Sequence, residues 1–435
     1  MSVTDASAVE TISQMDGASS IRSKWTSNNE GPSQSPALPA WDAWHWTYFW
    51  TSGFAVLFVW SCLLSMTDYL KRRFDPECDK YIPFFFNFGG FLIFIVYGWL
   101  NKRISFRLQL ILLPILLVII FVVIILIGEK WDASGAPFLK LATLLSLVTL
   151  SGSANGLLQT SIIRHAFKFT YLEISYYAGG NALSGIAVSG IALVSCFLIP
   201  ADELFLNAMF YLAFVILVSI GLLYIFLKYL GGSYIRAEDY FDKLAEMQTQ
   251  QLATSISKSN PIESDDGPKY FQTLKKIQAY FFHMIFIFSV TLGVYPSMAF
   301  AMGLNMSHIS FYQIILMIFN VGDVAGRYLY SKMPLSDNVV PHFLSLIRIG
   351  FVVYVVLMFD FTILAPLINN PLCTFLFVFL LSSSHGYIQA GLFSLASERA
   401  STTKEKENSG FLMTLALIIG LSYGGLAILV GAREN

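Results

Sequence analysis

The sequence predicts an all-α polytopic membrane protein, on three observations. Hydrophobic residues make up 55% of the 435 and charged residues only 13%, too apolar a balance for a soluble globule. Apolar stretches long enough to span a bilayer recur 11 times along the chain. One long polar stretch, residues 231–276, divides them into six and five.

Taken in order, residues 1–45 are rich in Ser, Thr, Asp and Glu and lack an apolar core. They are expected to form a disordered cytoplasmic tail rather than a signal peptide, which leaves the first span as the insertion signal. Trp41, Trp44, Trp46 and Trp50 crowd where that span enters the membrane, as amphipathic rings prefer the interface. The first span runs from Thr47 to Tyr69 and carries Trp60 near its middle. Five more follow at Ile82–Leu100, Leu108–Ile127, Pro137–Ile163, Leu172–Ile199 and Leu204–Leu230, completing a six-helix bundle over residues 46–230. Residues 231–276 read as a cytoplasmic linker. Ile277–Met302, Ile309–Tyr330, Pro341–Leu364, Pro371–Leu395 and Gly410–Val430 then form a five-helix bundle over residues 277–435.

Most of the 27 Lys and Arg fall on one side when the N-terminus is placed in the cytoplasm, so the chain is expected to end outside. Only the run Lys71, Arg72, Arg73 argues against that orientation. The four cysteines show no paired metal spacing, and only Cys78 falls in an expected loop; neither a disulfide framework nor a zinc site is expected. There is no GxxxxGK[ST], HExxH or GxSxG motif, so the chain is not expected to be an enzyme or to need a cofactor. A net charge of −1 carries no signal for nucleic acid.

The eighth span holds the most unusual feature. In FNVGDVAGRYLY, Phe319 to Tyr330, Asp323 and Arg327 stand four residues apart on one helix face, with Asn320 a turn earlier. A charge at mid-bilayer costs about 2.5–3.5 kcal/mol on insertion scales, so the pair needs mutual contact, other helices or a bound solute. It is either an interhelical clamp or a clamp that also touches a polar solute. Other polar residues in spans are few: Asn155 and Gln159 in the fourth, Asn87 in the second, Asn181 in the fifth, and Ser384, His385 and Gln389 in the tenth. Arg348, a turn and a half into the ninth span, is expected to snorkel to the cytoplasmic face, and His283 to lie at the interface. Small residues four apart, such as Gly152 and Gly156, Gly180 and Ser184, Gly185 and Ser189, Gly322 and Gly326, and Gly420 and Gly424, predict close helix packing.

FNVGDVAGR resembles the eighth-helix signature of the equilibrative nucleoside transporter family. The resemblance extends to Gln159 in a glycine-rich fourth helix, AGGNALSGIAVS (Ala178 to Ser189), FSVTLGVYPSM (Phe288 to Met298), Arg348 in the ninth helix, and ENSGFLMTLALIIGLSYGG (Glu407 to Gly425). Two departures stand out. Val59, Trp60, Ser61 replaces the usual Pro-Trp-Asn, and His385-Gly-Tyr stands where Asn-Gly-Tyr is common.

That resemblance implies a major-facilitator-like 6+5 bundle with a central site, exposed alternately by rocking of its halves. It implies facilitative transport of a nucleoside, with Asp323 and Arg327 toward the sugar hydroxyls and base, Gln159 toward the base, and Trp60 with Leu57 against the solute. Asn320 and His385 complete the expected binding set. The implied partners are a nucleoside or nucleobase and the lipid bilayer, with the chain a monomer in the plasma membrane. The altered first helix and His385 keep open a nucleobase or proton-coupled carrier of the same fold, and a buried pair serving only as a clamp keeps open a non-transporting receptor or scaffold.

Overall fold

A computed structural model describes residues 43–131, 137–200, 203–241, 243–244, 270–303, 309–335, 339–360 and 370–431. The helices from Ala43 to Arg236 and from Tyr270 to Gly431 belong to one compact unit. Residues 237–241, also helical, fall to a second unit. The expected tail lies outside the described residues up to position 42, as do the middle of the expected linker and the last four residues.

The first group of helices comprises α1 (Ala43–Ser65), α2 (Thr67–Arg73), α3 (Cys78–Arg103), α4 (Phe106–Lys130), α5 (Pro137–Lys168), α6 (Tyr171–Leu198) and α7 (Leu204–Gly231). The second comprises α8 (Tyr270–Gly303), α9 (Ile309–Lys332), α10 (Val339–Ile347), α11 (Ile349–Asp360), α12 (Pro371–Glu398) and α13 (Thr403–Gly431). Among the described residues, 9 helices are long and apolar enough to cross a membrane; α9 and the α10–α11 pair are not among them.

Helix α9 is 24 residues long and carries Asn320, Asp323 and Arg327 in its second half. The expected ninth span is broken at Arg348, where the backbone turns between α10 and α11, and residues 361–369 lie outside the described ones. The first span likewise ends at Ser65, four residues early, and restarts as α2. Positions 270–276 and 233–241, placed by the sequence in the linker, are helical. Cys78 opens α3 and is buried rather than lying in a loop.

Local signals set several helix ends. Thr170 and Glu173 form a capping box, with the Thr170 amide donating to Glu173 Oε2 at 2.9 Å. Asn370 accepts from the Leu372 amide at 3.0 Å, and Pro371 opens α12 with a fixed φ and no amide to satisfy. Pro83 and Pro114 sit inside α3 and α4, a position that membrane-spanning helices tolerate better than soluble ones. The basic run of α2 is neutralised locally: Lys71 pairs with Asp79 at 2.7 Å and Arg73 with Glu129 at 3.1 Å.

Helix α1 packs on α6 and α7, α3 on α5, and α4 on α5 and α7. In the second group α8 packs on α13 and α12, and α9 on α12. Two seams join the groups, α6 against α9 and α13 against α3 and α5. Large apolar side chains such as Ile95, Phe197 and Leu217 point outward, as a lipid environment allows. Lipid offers no hydrophobic drive between helices, so close backbone approach must supply the packing energy. The expected small-residue pairs do this: a Cβ at Gly180 would strike the Trp50 carbonyl, one at Gly152 the Phe86 carbonyl, and one at Gly326 the Ser383 carbonyl.

Gly180→Val should therefore force α1 from α6 and destabilise the protein by about 1–3 kcal/mol, the usual range for overpacking. Gly98, with nothing within 4 Å of its would-be Cβ, serves as the control. A thermal melt in detergent checks this: the Gly180 variant loses several degrees and Gly98→Ala loses none.

Candidate functional site

Seven residues expected at the binding site, Leu57, Trp60, Gln159, Asn320, Asp323, Arg327 and His385, line one cavity at the meeting of the two helix groups. Its empty space is about 1040 Å³ including the opening to solvent. The floor and walls come from α1, α3, α5 and α6 on one side and α8, α9, α12 and α13 on the other.

Helix α9 supplies the charged centre. Its i, i+4 spacing brings Arg327 Nε and Nη2 each to 2.9 Å from Asp323 Oδ2. Arg327 Nη2 also donates to Gln389 Oε1 on α12 at 2.6 Å. The pair is thus an interhelical clamp in part. Its remaining polar atoms are not used: Asp323 Oδ1 and Arg327 Nη1 are buried without a hydrogen-bond partner among the described residues. A buried polar atom left unpaired costs about 1–3 kcal/mol, more when charged, so a polar ligand that reached these two enclosed atoms at the cavity wall would offset that cost. Gly386 makes room for them; a Cβ there would meet the Asp323 carbonyl and stand 2.7 Å from Oδ1.

The other expected residues divide by role. Asn320 donates to the Leu316 carbonyl at 2.9 Å and to Ser189 Oγ at 3.5 Å, and Gly185 packs against its amide, so it tightens the α6–α9 seam while lining the cavity. Gln159 lies among Asn155, Asn181 and Tyr177. Asn155 Oδ1 and Asn181 Oδ1 are buried acceptors without a hydrogen-bond partner among the described residues. Asn87 is turned to its own helix, donating to the Pro83 carbonyl at 2.7 Å. His385 meets Thr291 Oγ1 through Nδ1 at 2.9 Å and packs edge-on against Phe288, ring centres 4.6 Å apart.

The aromatic wall exceeds what the sequence indicated. Trp60 leans on Phe86 at 5.0 Å between ring centres, and Tyr295 stacks on Phe319 at 4.0 Å. Phe86, which lines the cavity, carries no sequence signal, because one aromatic among the 38 Phe and 21 Tyr of an apolar chain is unremarkable until its neighbours are known.

Arg348 corrects the expectation of snorkelling. Its side chain is fully buried, and the guanidinium donates to the Leu381 carbonyl at 3.0 Å, Ser384 Oγ at 2.6 Å and Thr291 Oγ1 at 2.6 Å. It sits at the break between α10 and α11, and α8 and α12 hold its acceptors. His283, expected at the interface, is half-buried and pairs ring nitrogen to ring nitrogen with His342 of α10.

Where α5 ends and α13 begins, the two helices are tied by charge. Glu407 meets Lys168 at 2.8 Å and Arg164 at 3.3 Å, and Arg164 also donates to the Tyr97 hydroxyl at 3.1 Å. Among the described residues no group of three or more His, Cys, Asp or Glu could hold a metal ion.

Comparison with known proteins agrees with this architecture. A solved structure of a major-facilitator proton:xylose symporter bound to 6-bromo-6-deoxy-D-glucose superposes with a TM-score of 0.61 at 11% identity, over 90% of this chain and 89% of that one. The human organic anion transporter MFSD10 aligns over 90% of this chain and 95% of its own at 15% identity, with a TM-score of 0.49. No curated protein matches the sequence significantly. The likeness to the symporter shows a major-facilitator-type fold. The nucleoside transporter family model matches residues 145–430, about two thirds of the chain, including Gln159, the α9 pair and His385. The protein is thus a multi-pass membrane transporter rather than an enzyme, and it belongs to the equilibrative nucleoside transporter family.

Proposed function

We propose that the protein carries nucleosides across a membrane facilitatively, by alternating access around the cavity between the two helix groups. The observation that carries this reading is the pair of unused polar atoms, Asp323 Oδ1 and Arg327 Nη1, beside an aromatic wall. A nucleoside matches that arrangement in its two parts. Ribose hydroxyls donate to a carboxylate and accept from a guanidinium, and a base stacks on aromatic rings for about 1–3 kcal/mol whichever base it is. In this reading Gln159, with Asn155 and Asn181 nearby, takes the base edge, Trp60 and Leu57 bound the solute, and Asn320 and His385 complete the set.

The reading counts α9 and the α10–α11 pair as further spans, giving 11 in a 6+5 plan. The N-terminus is cytoplasmic, the C-terminus outside, the plasma membrane the site of action and the monomer the working unit. Pairing of Lys71 and Arg73 with acids supports that orientation, because the run of basic residues on the outer side is then largely neutralised. Arg327, bonded to Asp323, keeps the carboxylate occupied and favours uncoupled transport over proton coupling.

Labelled adenosine uptake into vesicles holding the purified protein is the direct test. It should be saturable and indifferent to a proton gradient. Asp323→Asn should lower uptake about 10- to 150-fold, corresponding to 1.5–3 kcal/mol for a hydrogen bond to a charged group, with the protein still monodisperse. Unchanged uptake would remove the reading. Uridine should compete at least tenfold better than 2′-deoxyuridine, since a site built to bond a hydroxyl rejects the analogue lacking it. Glu407→Gln should loosen the tie between α5 and α13. The pairs are partly exposed, so the shift in the conformational balance should be a few-fold at most, read as altered accessibility of a single cysteine placed in the cavity.

A further inference from the structure

The hydrogen bonds behind His385 fix more than its position. Thr291 Oγ1 has one proton to give and two lone pairs to receive with, and it has three neighbours. The Ile287 carbonyl at 2.7 Å can only accept, so it takes the hydroxyl proton. Arg348 Nη2 at 2.6 Å can only donate, so it fills one lone pair. What remains for His385 Nδ1, at 2.9 Å, is the second lone pair, which requires that Nδ1 carry a proton. Arg348 is itself held by Ser384 Oγ and the Leu381 carbonyl, on the turn of α12 that precedes His385, and it is completely buried.

The other ring nitrogen is free for a ligand. His385 lines the cavity with Asp323 and Arg327, and its Nε2 has no hydrogen bond among the described residues. It is also absent from the enclosed, unpartnered polar atoms of the protein, so it opens to the cavity. With the ring proton on Nδ1, a neutral imidazole offers Nε2 as an acceptor only.

We propose that Arg348 and Thr291 are positioning residues that hold His385 in its Nδ1–H form, so that Nε2 accepts a hydrogen bond from an N–H or O–H of the bound nucleoside and discriminates against solutes lacking that donor. This rests on the nucleoside reading above and adds to it a residue, Arg348, that does not line the cavity. An amide in the place of His385 could offer either a donor or an acceptor by turning over, whereas the imidazole so held offers one choice.

Two measurements on the full-length protein in lipid test it. In ¹⁵N-histidine-labelled protein, nitrogen chemical shifts distinguish the two tautomers, and the difference from His385→Asn identifies the His385 signals. The expected result is Nδ1 protonated and Nε2 bare in the wild type, and a mixture in Thr291→Val, with Thr291→Ser restoring the single form. The second is competition for labelled adenosine uptake by purine riboside and by 2′-, 3′- and 5′-deoxyadenosine, each missing one donor. For one of these analogues the wild type should discriminate about tenfold or more, the effect of one hydrogen bond. That ratio should fall to within about threefold in Thr291→Val and return in Thr291→Ser.

An Nε2–H tautomer in the wild type, or selectivity ratios identical in the Thr291→Val variant, would overturn the proposal. Absence of adenosine uptake by wild-type protein would instead overturn the nucleoside reading and with it the assigned solute, while the tautomer result would still decide the positioning claim. Should Thr291→Val fail to fold, His385→Gln, which keeps a side-chain acceptor, against His385→Leu, which has none, gives the same selectivity comparison. Equal ratios in those two would count against an acceptor role.

Discussion

A carboxylate and a guanidinium four residues apart on α9 can exist inside an apolar bundle only because each meets the other, and the rest of the structure follows from keeping them there. Their contact consumes one carboxylate oxygen and one edge of the guanidinium. Gln389 of α12 takes a further guanidinium hydrogen, which anchors the pair to a second helix. The remaining oxygen and nitrogen are held in a low-dielectric wall, where an unmatched charge acts strongly on anything that enters. A surface ion pair of the same spacing would contribute little, and would have no reason to leave atoms unsatisfied.

Holding such a pair without collapsing the cavity requires rigid helices close behind it. Small residues supply that. Gly386 lets α12 approach the Asp323 backbone, Gly322 and Gly326 bring α9 against Ser382 and Ser383, and Gly185 admits the Asn320 amide at the α6 seam. Behind them Val290, Val294, Ile315, Leu316, Val378 and Leu381 form an apolar core shared by α8, α9 and α12. Each half is therefore stiff within itself. The two groups meet through the α6–α9 seam, through α13 against α3 and α5, and through the Glu407 ion pairs. A rocking carrier needs that combination: tight contacts within a half, and seams between halves that can exchange partners.

Arg348 extends the same logic by one layer. A buried guanidinium in a helix break would be destabilising alone, yet here it donates to a carbonyl, Ser384 and Thr291, and through Thr291 it reaches His385. These polar groups are thus linked into one connected network from the break between α10 and α11 across α8 to α12, and the network ends at the cavity. One departure from the family pattern that the sequence displayed, a histidine for an asparagine, falls at the wall of the same cavity; of the altered first-helix triplet only the retained Trp60 lines it.

The sequence by itself determined the class, most helix positions and the family, and it named seven of the residues that line the cavity. Those are local or compositional properties: spanning length, apolar content, and charges that an apolar helix cannot carry without reason. It misplaced what depends on neighbours. Arg348 was given to the interface because a long side chain near a helix end ordinarily reaches water, and only the acceptors presented by α8 and α12 turn it inward. The break between α10 and α11 was hidden because an apolar run looks alike whether continuous or kinked. Phe86 was indistinguishable from a lipid-facing aromatic until the packing of α3 brought it to the cavity beside Trp60. Composition records what a helix can bury; which of its faces meets another helix, and which atoms are left without a partner there, is decided only when all the helices are assembled.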